Sequence, residues 1–365
     1  MLYVIWGISF LFTIIYAFNN KNSKVYRLPV LIELFIFMWI LSGWSSGAYD
    51  VEIGISRYVN YASFQSFTEI GYNSLIIAAH SIGMNYRLFF VMCSLFELVI
   101  MFWFVEKNSV KSPIVFGLFL IYPSFIYFQY IRNIFAFTFV LIALDALINK
   151  KKGYIIKYII FIVLATTIHA SSLFFLLYLP ISFIKQKTAI ITVMVTAILL
   201  YFSTGISQFS NIITSLVGQE KTDIVLRTTT NAEGGIGRIF GLAFSILTFF
   251  IIFIILKYFF KISMKGDTVR TFVNINLLSF IFIPLTLNFG VGFARIPTLL
   301  CIVNYVFLVN KISEVESQKQ RLIIYFTLAL FLIGSMFLNI RNIEYRQLVF
   351  YPFFNNNELM RWLFY

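Results

Sequence analysis

The feature that most constrains this chain is a series of long apolar runs separated by short charged connections. Leu88–Val105 carries a single charge, Glu97, and Ile239–Phe260 a single charge, Lys257. A soluble fold would have to leave much of that Phe, Ile and Leu at its surface. The runs approach instead the ~20 residues with which a helix crosses a hydrocarbon layer. Composition agrees, with 60% of residues apolar, 45 of them Phe, and 12% charged, against ~25% charged in ordinary soluble domains. In lipid the backbone must bond within its own helix or in a closed barrel, and the runs exceed the ~9–11 residues of a barrel strand. The reading is an all-α polytopic integral membrane protein, and a soluble enzyme is excluded.

Twelve spans are predicted: Leu2–Phe18, Leu28–Trp44, Leu88–Val105, Pro113–Tyr130, Asn133–Ile148, Ile155–Thr167, Ser172–Ile184, Thr188–Phe202, Ile239–Phe260, Thr271–Phe289, Ile296–Val309 and Leu322–Leu338. The first lacks the basic flank and small-residue cleavage site of a signal peptide. The sixth and seventh are short enough to form a hairpin that does not fully cross. The whole of residues 1–365 is read as one transmembrane domain. Cys93 and Cys301 fall inside apolar runs and supply neither a disulfide framework nor a metal spacing.

Alternate connections hold 18 of the 28 Lys and Arg residues, and that face is assigned to the cytoplasm. Both chain ends then lie outside. The two faces also differ in kind: fifteen of the 18 inner cations are Lys, whereas nine of the ten outer ones are Arg. Orientation by basic residues does not require that sorting. A guanidinium grips phosphate or carboxylate through two parallel hydrogen bonds and keeps its charge when desolvated. The alternative, pairing with outer acids or lipid headgroups, stays open at this stage.

Three extracytoplasmic pieces are expected: residues 45–87, in which Leu75–Ile82 lies along the interface; 203–238, ending in the Gly-rich run Glu233–Arg238, suited to a moving flap; and the tail 339–365. A channel or carrier needs little outside its membrane core, whereas an enzyme needs loops to shape a site. Outer span ends bring Arg87, Arg132, His169, Arg238 and Arg295 to one level. Such a ring fits a lipid-linked diphosphate, whose departing charge is stabilised best where water is excluded. An acceptor hydroxyl needs a base, and an imidazole, ordinarily near pKa ~6.5, suits that work. His169, followed by Ser171, is the candidate; a helix-end cap is its plainer reading. His80 reads as structural. Asp50 and Glu52 would share a face in an extended chain and could then hold a divalent metal, position a sugar or act as base. Otherwise they partner Arg57. Glu97, mid-span, must face the bundle interior, because a charge there costs about 2.5–3.5 kcal/mol on insertion scales.

Several of these residues fall in a familiar order. Tyr49-Asp50, Arg57-Tyr58 and Glu69-Ile-Gly71-Tyr72 resemble the first outer loop of the EpsG family of Wzy-like polysaccharide polymerases. Tyr130-Ile-Arg132-Asn-Ile-Phe-Ala136 is similar to its "IRQ…A" element, Ile168-His169-Ala-Ser171-Ser172 to its "FHxSA" element, and Arg295-Ile-Pro297 to its third basic landmark. Asn133 replaces the usual Gln, Ile168 the common Phe, and the Asp50–Tyr58 spacing is loose.

The resemblance implies a GT-C-like membrane glycosyltransferase. It would move a polyprenyl-diphosphate-linked glycan onto the sugar hydroxyl of a second lipid-linked unit, outside the bacterial cytoplasmic membrane, to build capsule or exopolysaccharide. It implies catalytic roles for His169, Asp50 and Arg132, and substrate contacts from Arg57, Tyr58, Glu69, Tyr72, Ser171 and Arg295; Arg87 and Arg238 join those contacts from their places in the outer ring. The partners would be the bilayer, the lipid-linked donor and acceptor, a flippase and a chain-length regulator, with no nucleic acid. No cofactor is required, and a divalent metal is not demanded. A lipid-linked oligosaccharide flippase and a glycan O-acyltransferase are the competing readings. The first should show two pseudo-equivalent halves, and the second needs a cytoplasmic acyl donor.

Overall fold

In a computed structural model, residues 2–18, 24–45, 49–60, 69–203, 232–289, 293–341 and 346–364 are described. Among them the chain is 85% helical with no strands. The helices are α1 (Leu2–Phe18), α2 (Lys24–Gly43), α3 (Tyr49–Val59), α4 (Ile70–Ser81), α5 (Tyr86–Asn108), α6 (Ser112–Ile121), α7 (Ser124–Tyr127), α8 (Ile131–Asn149) and α9 (Tyr154–Ile168). A 3₁₀ segment, Ala170–Leu177, leads into α10 (Tyr178–Ile181) and α11 (Gln186–Ser203). Then follow α12 (Ala232–Ile254), α13 (Asp267–Ser279), α14 (Phe282–Phe289), α15 (Arg295–Leu299), α16 (Cys301–Ser313), α17 (Gln318–Ile340), α18 (Tyr351–Asn355) and α19 (Glu358–Phe364).

Among the described residues, five helical stretches are long and apolar enough to cross a membrane: Tyr86–Asn108, Arg132–Asn149, Leu242–Phe259, Asp267–Leu287 and Gln318–Ile340. The protein is a helical membrane protein. Four of the predicted spans are each divided into two short pieces, at Tyr122–Pro123, at Leu177–Tyr178 where 3₁₀ gives way to α, between α13 and α14, and at Leu300. Prolines account for much of this, since each lacks the N–H that continues a helix and is tolerated in a first turn. Pro123 precedes α7 and Pro284 falls in the first turn of α14, whereas no proline stands at the Leu300 break.

α8 packs along α9, α12 along α17, and α5 between α2 and α8. Gly117 lets α6 approach α1, because a Cβ there would sit 2.2 Å from Thr13 Cγ2. Glu97 is buried, as its mid-span position requires, and its Oε1 has no hydrogen-bond partner.

α5 begins beside Arg87 and ends beside Lys107; α8 begins beside Arg132 and ends beside Lys150. The two cation types therefore occupy opposite ends of the same helices. At the lysine end Asp145 takes Lys107 Nζ at 2.6 Å and Asn108 Nδ2 at 3.1 Å, and Asp267 takes Lys150 at 3.3 Å. At the arginine end the tail turns back onto the bundle. Asn357 pairs with Ser45 and donates to Ile40 O at 2.7 Å, while Phe354 stacks on Tyr3 at 4.4 Å. The Gly-rich run expected to be a flap belongs instead to the first turns of α12, where the apolar helix behind it carries through the glycines. Residues 204–231 of that loop lie outside the described chain.

Candidate functional site

Four segments meet at the arginine end around one carboxylate. Glu69 stands at the entry to α4 and is fully buried, yet its side chain caps no helix nitrogen. Its Oε2 accepts from Arg57 Nη1 at 2.5 Å, from the last turn of α3, and from Arg132 Nη1 at 2.8 Å, from the first turn of α8. Its Oε1 accepts from His169 Nδ1 at 2.9 Å, at the break between α9 and the 3₁₀ segment. Two guanidinium charges against one carboxylate leave the group net cationic. A buried acid of this kind persists only because it is both paired and hydrogen-bonded.

Local sequence explains each placement. α9 stops at His169, whose backbone is extended (φ −148°, ψ 117°), so the imidazole stands where the helix gives out. Gly71, two residues after Glu69, brings α4 onto that same helix end: a Cβ there would lie 2.4 Å from Thr167 Oγ1 and 3.0 Å from Ile168 Cδ1. Arg57 is fixed from two further sides, donating through Nη2 to Asn73 Oδ1 at 2.9 Å and lying 5.6 Å from the Tyr72 ring centroid. Burial, ahead of smaller contributions from neighbouring groups, pushes the Tyr72 phenol up, so it faces Arg57 as a neutral ring.

The Glu69–His169 contact dictates the imidazole's tautomer. A carboxylate only accepts, so Nδ1 carries the proton, and in the neutral ring Nε2 is the basic nitrogen. A carboxylate-oriented imidazole of this form suits general-base work. Beside it, Ser171 donates to Asn133 Oδ1 at 3.5 Å. Arg295 arrives from α15 with its Cζ over the ring of Tyr130, 3.8 Å from the centroid; Tyr130 stands two residues before Arg132.

Of the residues selected from sequence, Arg57, Glu69, Arg132 and His169 converge. Tyr72, Ser171 and Arg295 border them. Tyr58 serves as a prop, donating to Met84 O at 2.5 Å and stacking on His80 at 4.2 Å, while its carbonyl meets His80 Nε2 at 2.8 Å. Arg87 stands apart: it pairs with Glu358 of the tail and donates to Ser45 O at 3.2 Å. The backbone of residues 49–59 is helical, so the extended chain that would align Asp50 with Glu52 is absent. The side chains of Asp50, Glu52 and Arg238 lie outside the described residues. Among the described residues no three His, Cys, Asp or Glu side chains come together. Asn73 stands outside every motif read from the sequence, and Tyr130 and Asn133 enter only inside the Tyr130–Ala136 string.

A family model described as the EpsG family matches residues 30–355. No curated protein and no solved structure matches the chain.

Proposed function

Because the chain belongs to the EpsG family of Wzy-like polysaccharide polymerase-type membrane proteins, we propose that it is a membrane glycosyltransferase that joins polyprenyl-diphosphate-linked repeat units into a polysaccharide. The observation that carries this reading is the convergence of Arg57, Arg132 and His169 on buried Glu69. It supplies an oriented base and a net positive charge in one water-poor place, the two things that glycosyl transfer from a diphosphate requires.

In the proposed step, His169 Nε2 takes the proton of the acceptor sugar's hydroxyl. The hydroxyl oxygen bonds to the donor's anomeric carbon, the carbon–oxygen bond to the diphosphate breaks, and its electron pair leaves with the diphosphate. Arg132 and Arg295 receive that charge. Arg132 Nη1 is held by Glu69, which keeps the guanidinium at the site. Glu69 holds the imidazole in register, stabilises its cationic form after proton transfer and fixes both flanking guanidiniums.

The same reading sets twelve crossings, with the arginine end outside the bacterial cytoplasmic membrane and a capsule or exopolysaccharide as product. Asp50 is assigned to the same reaction from the family resemblance, and Arg238 from its place at the outer end of a predicted span. A flippase and a chain-length regulator would work beside it.

The test is elongation by purified protein in lipid nanodiscs. The substrate is the lipid-linked unit that accumulates in cells lacking the chain, and His169→Ala and Arg132→Ala are run beside wild type. A product ladder from wild type alone supports both the polymerase and the site. A ladder that survives both substitutions keeps the class and discards the site. Lipid-linked units that cross the bilayer without elongation make the protein a flippase, and acyl transfer without elongation makes it an acyltransferase.

A further inference from the structure

Asn133 is an oddity in the site. Its side chain is 4% exposed, its Nδ2 has no hydrogen-bond partner, and its Oδ1 meets only the far limit of a hydrogen bond, Ser171 Oγ at 3.5 Å. A buried amide with an unsatisfied end is a cost that native interiors rarely carry. Turning the amide over does not remove it. Nδ2 would then meet the Ser171 hydroxyl, and Oδ1 would be the atom left over.

The position of the orphaned group says what could satisfy it. Asn133 follows Arg132 in α8, and Ser171 is two residues beyond His169. The pair thus joins the helix that carries Arg132 to the segment that follows His169. Unlike the rest of the cluster it is neutral, which suits an uncharged oxygen better than a phosphate, for which Arg132 and Arg295 are at hand. Ser171 is the partly exposed member and occupies only Oδ1, which leaves Nδ2 for an incoming oxygen.

We propose that Asn133 is the specificity-determining residue for the acceptor: its amide donates to a hydroxyl or carbonyl oxygen on the acceptor sugar, beside the hydroxyl that His169 deprotonates. The ligand oxygen satisfies the buried Nδ2 donor while Ser171 stays on Oδ1, so recognition is coupled to removal of an existing defect. The inference rests on the polymerase reading and extends it, separating the acceptor side of the site (Asn133, Ser171, His169) from the donor side (Arg132, Arg295).

Donor and acceptor can be varied separately. Lipid-linked units from cells lacking the chain serve as donor. The same glycan, released from its lipid by mild acid and so without a leaving group, serves as acceptor. Asn133→Leu matches the side chain in size and carries no donor, Asn133→Asp keeps the shape and loses the donor, and Asn133→Gln keeps the amide. Leu and Asp should raise the released-glycan concentration for half-saturation roughly five- to tenfold, the worth of one hydrogen bond. Half-saturation by the donor should stay within about twofold, and Gln should lie nearer wild type than either. The melting temperature of Asn133→Leu should not fall, since the orphaned group is gone; if that variant does not fold, the Asp and Gln pair gives the same comparison. Unchanged glycan saturation, or a shift confined to the donor, overturns the inference while leaving the polymerase intact. A wild-type protein that makes no ladder overturns the polymerase reading and the inference with it.

Discussion

His169 Nδ1 donates to Glu69 Oε1 at 2.9 Å, while the other oxygen of the same carboxylate holds Arg57 at 2.5 Å and Arg132 at 2.8 Å. One buried acid thereby sets the tautomer of the candidate base and the position of two cations. The base cannot be moved without disturbing the charge field, and neither guanidinium can be lost without loosening the base. Residues 12, 63 and 100 positions away from Glu69 meet at that single group.

Glu69→Gln should be more damaging than its small change in shape suggests. It leaves two guanidiniums at a buried site without their counter-charge, and its amide can donate to Nδ1, turning the imidazole to the tautomer that cannot accept through Nε2. Elongation should fall by ~10²–10⁴, the span that positioned proton transfer contributes elsewhere. The melting temperature should fall as well, because breaking a buried ion pair costs about 3–5 kcal/mol. Initial rates and melting curves on the same preparation check both; a variant with near-wild-type turnover would remove Glu69 from the mechanism.

Gly71→Ala should separate α4 from α9. The new Cβ would stand 2.4 Å from Thr167 Oγ1, so one helix must give way, and Glu69 moves with α4. Loss of activity is expected with secondary structure retained. Thr167→Ala in the same chain removes the nearest clash and should recover part of the rate, a coupling that a double-mutant cycle measures directly. If the two substitutions are simply additive, the helix approach does not govern the site.

The class of fold was legible because apolar run length reports it directly, and helices occupy every predicted span. The breaks were not, because hydropathy is blind to where a helix stops within an apolar run; Pro123 and Pro284 mark two of those places only once the pieces are seen. Arg132, His169 and Arg295 could be selected because they sit at span ends of like level. The same logic set Arg87 beside them, but its position on α5 turns it to Glu358, 271 residues away. Glu69 could be noted as an outer acid, yet nothing in a linear sequence states that three distant cations share it.

Lys111, between α5 and α6 at the lysine end, offers a test of stability against pH. It is buried, and that burial, followed by the nearby Arg321 charge, lowers its pKa from the ordinary lysine value. The folded state then binds its proton less readily than the unfolded one, so stability rises with pH through the window between the lowered and the ordinary value, ~10.4. At neutral pH the full cost is present. Lys111→Met, which keeps the stem and removes the charge, should melt higher at pH 7.5 and gain less than wild type on moving to pH 10. An equal gain in both proteins would show that Lys111 does not carry the effect.

Arg295 Cζ lies over the Tyr130 ring, 3.8 Å from its centroid, so the ring face helps to hold the guanidinium in place. A cation on an aromatic face is worth about 0.5–2 kcal/mol, and the hydroxyl contributes little to that attraction. Tyr130→Phe should therefore elongate at close to the wild-type rate. Tyr130→Leu preserves apolar bulk but removes the quadrupole, and should raise the donor concentration for half-saturation by about two- to thirtyfold. Arg295→Lys should lose more than Tyr130→Leu, because an ammonium neither stacks in a plane nor presents a fork to phosphate. Saturation curves with lipid-linked donor at fixed acceptor separate these cases. Equal impairment by Phe and Leu would assign Tyr130's importance to its hydroxyl and discard the stacking role, whereas full activity in Leu would place the binding of Arg295 under the control of other contacts.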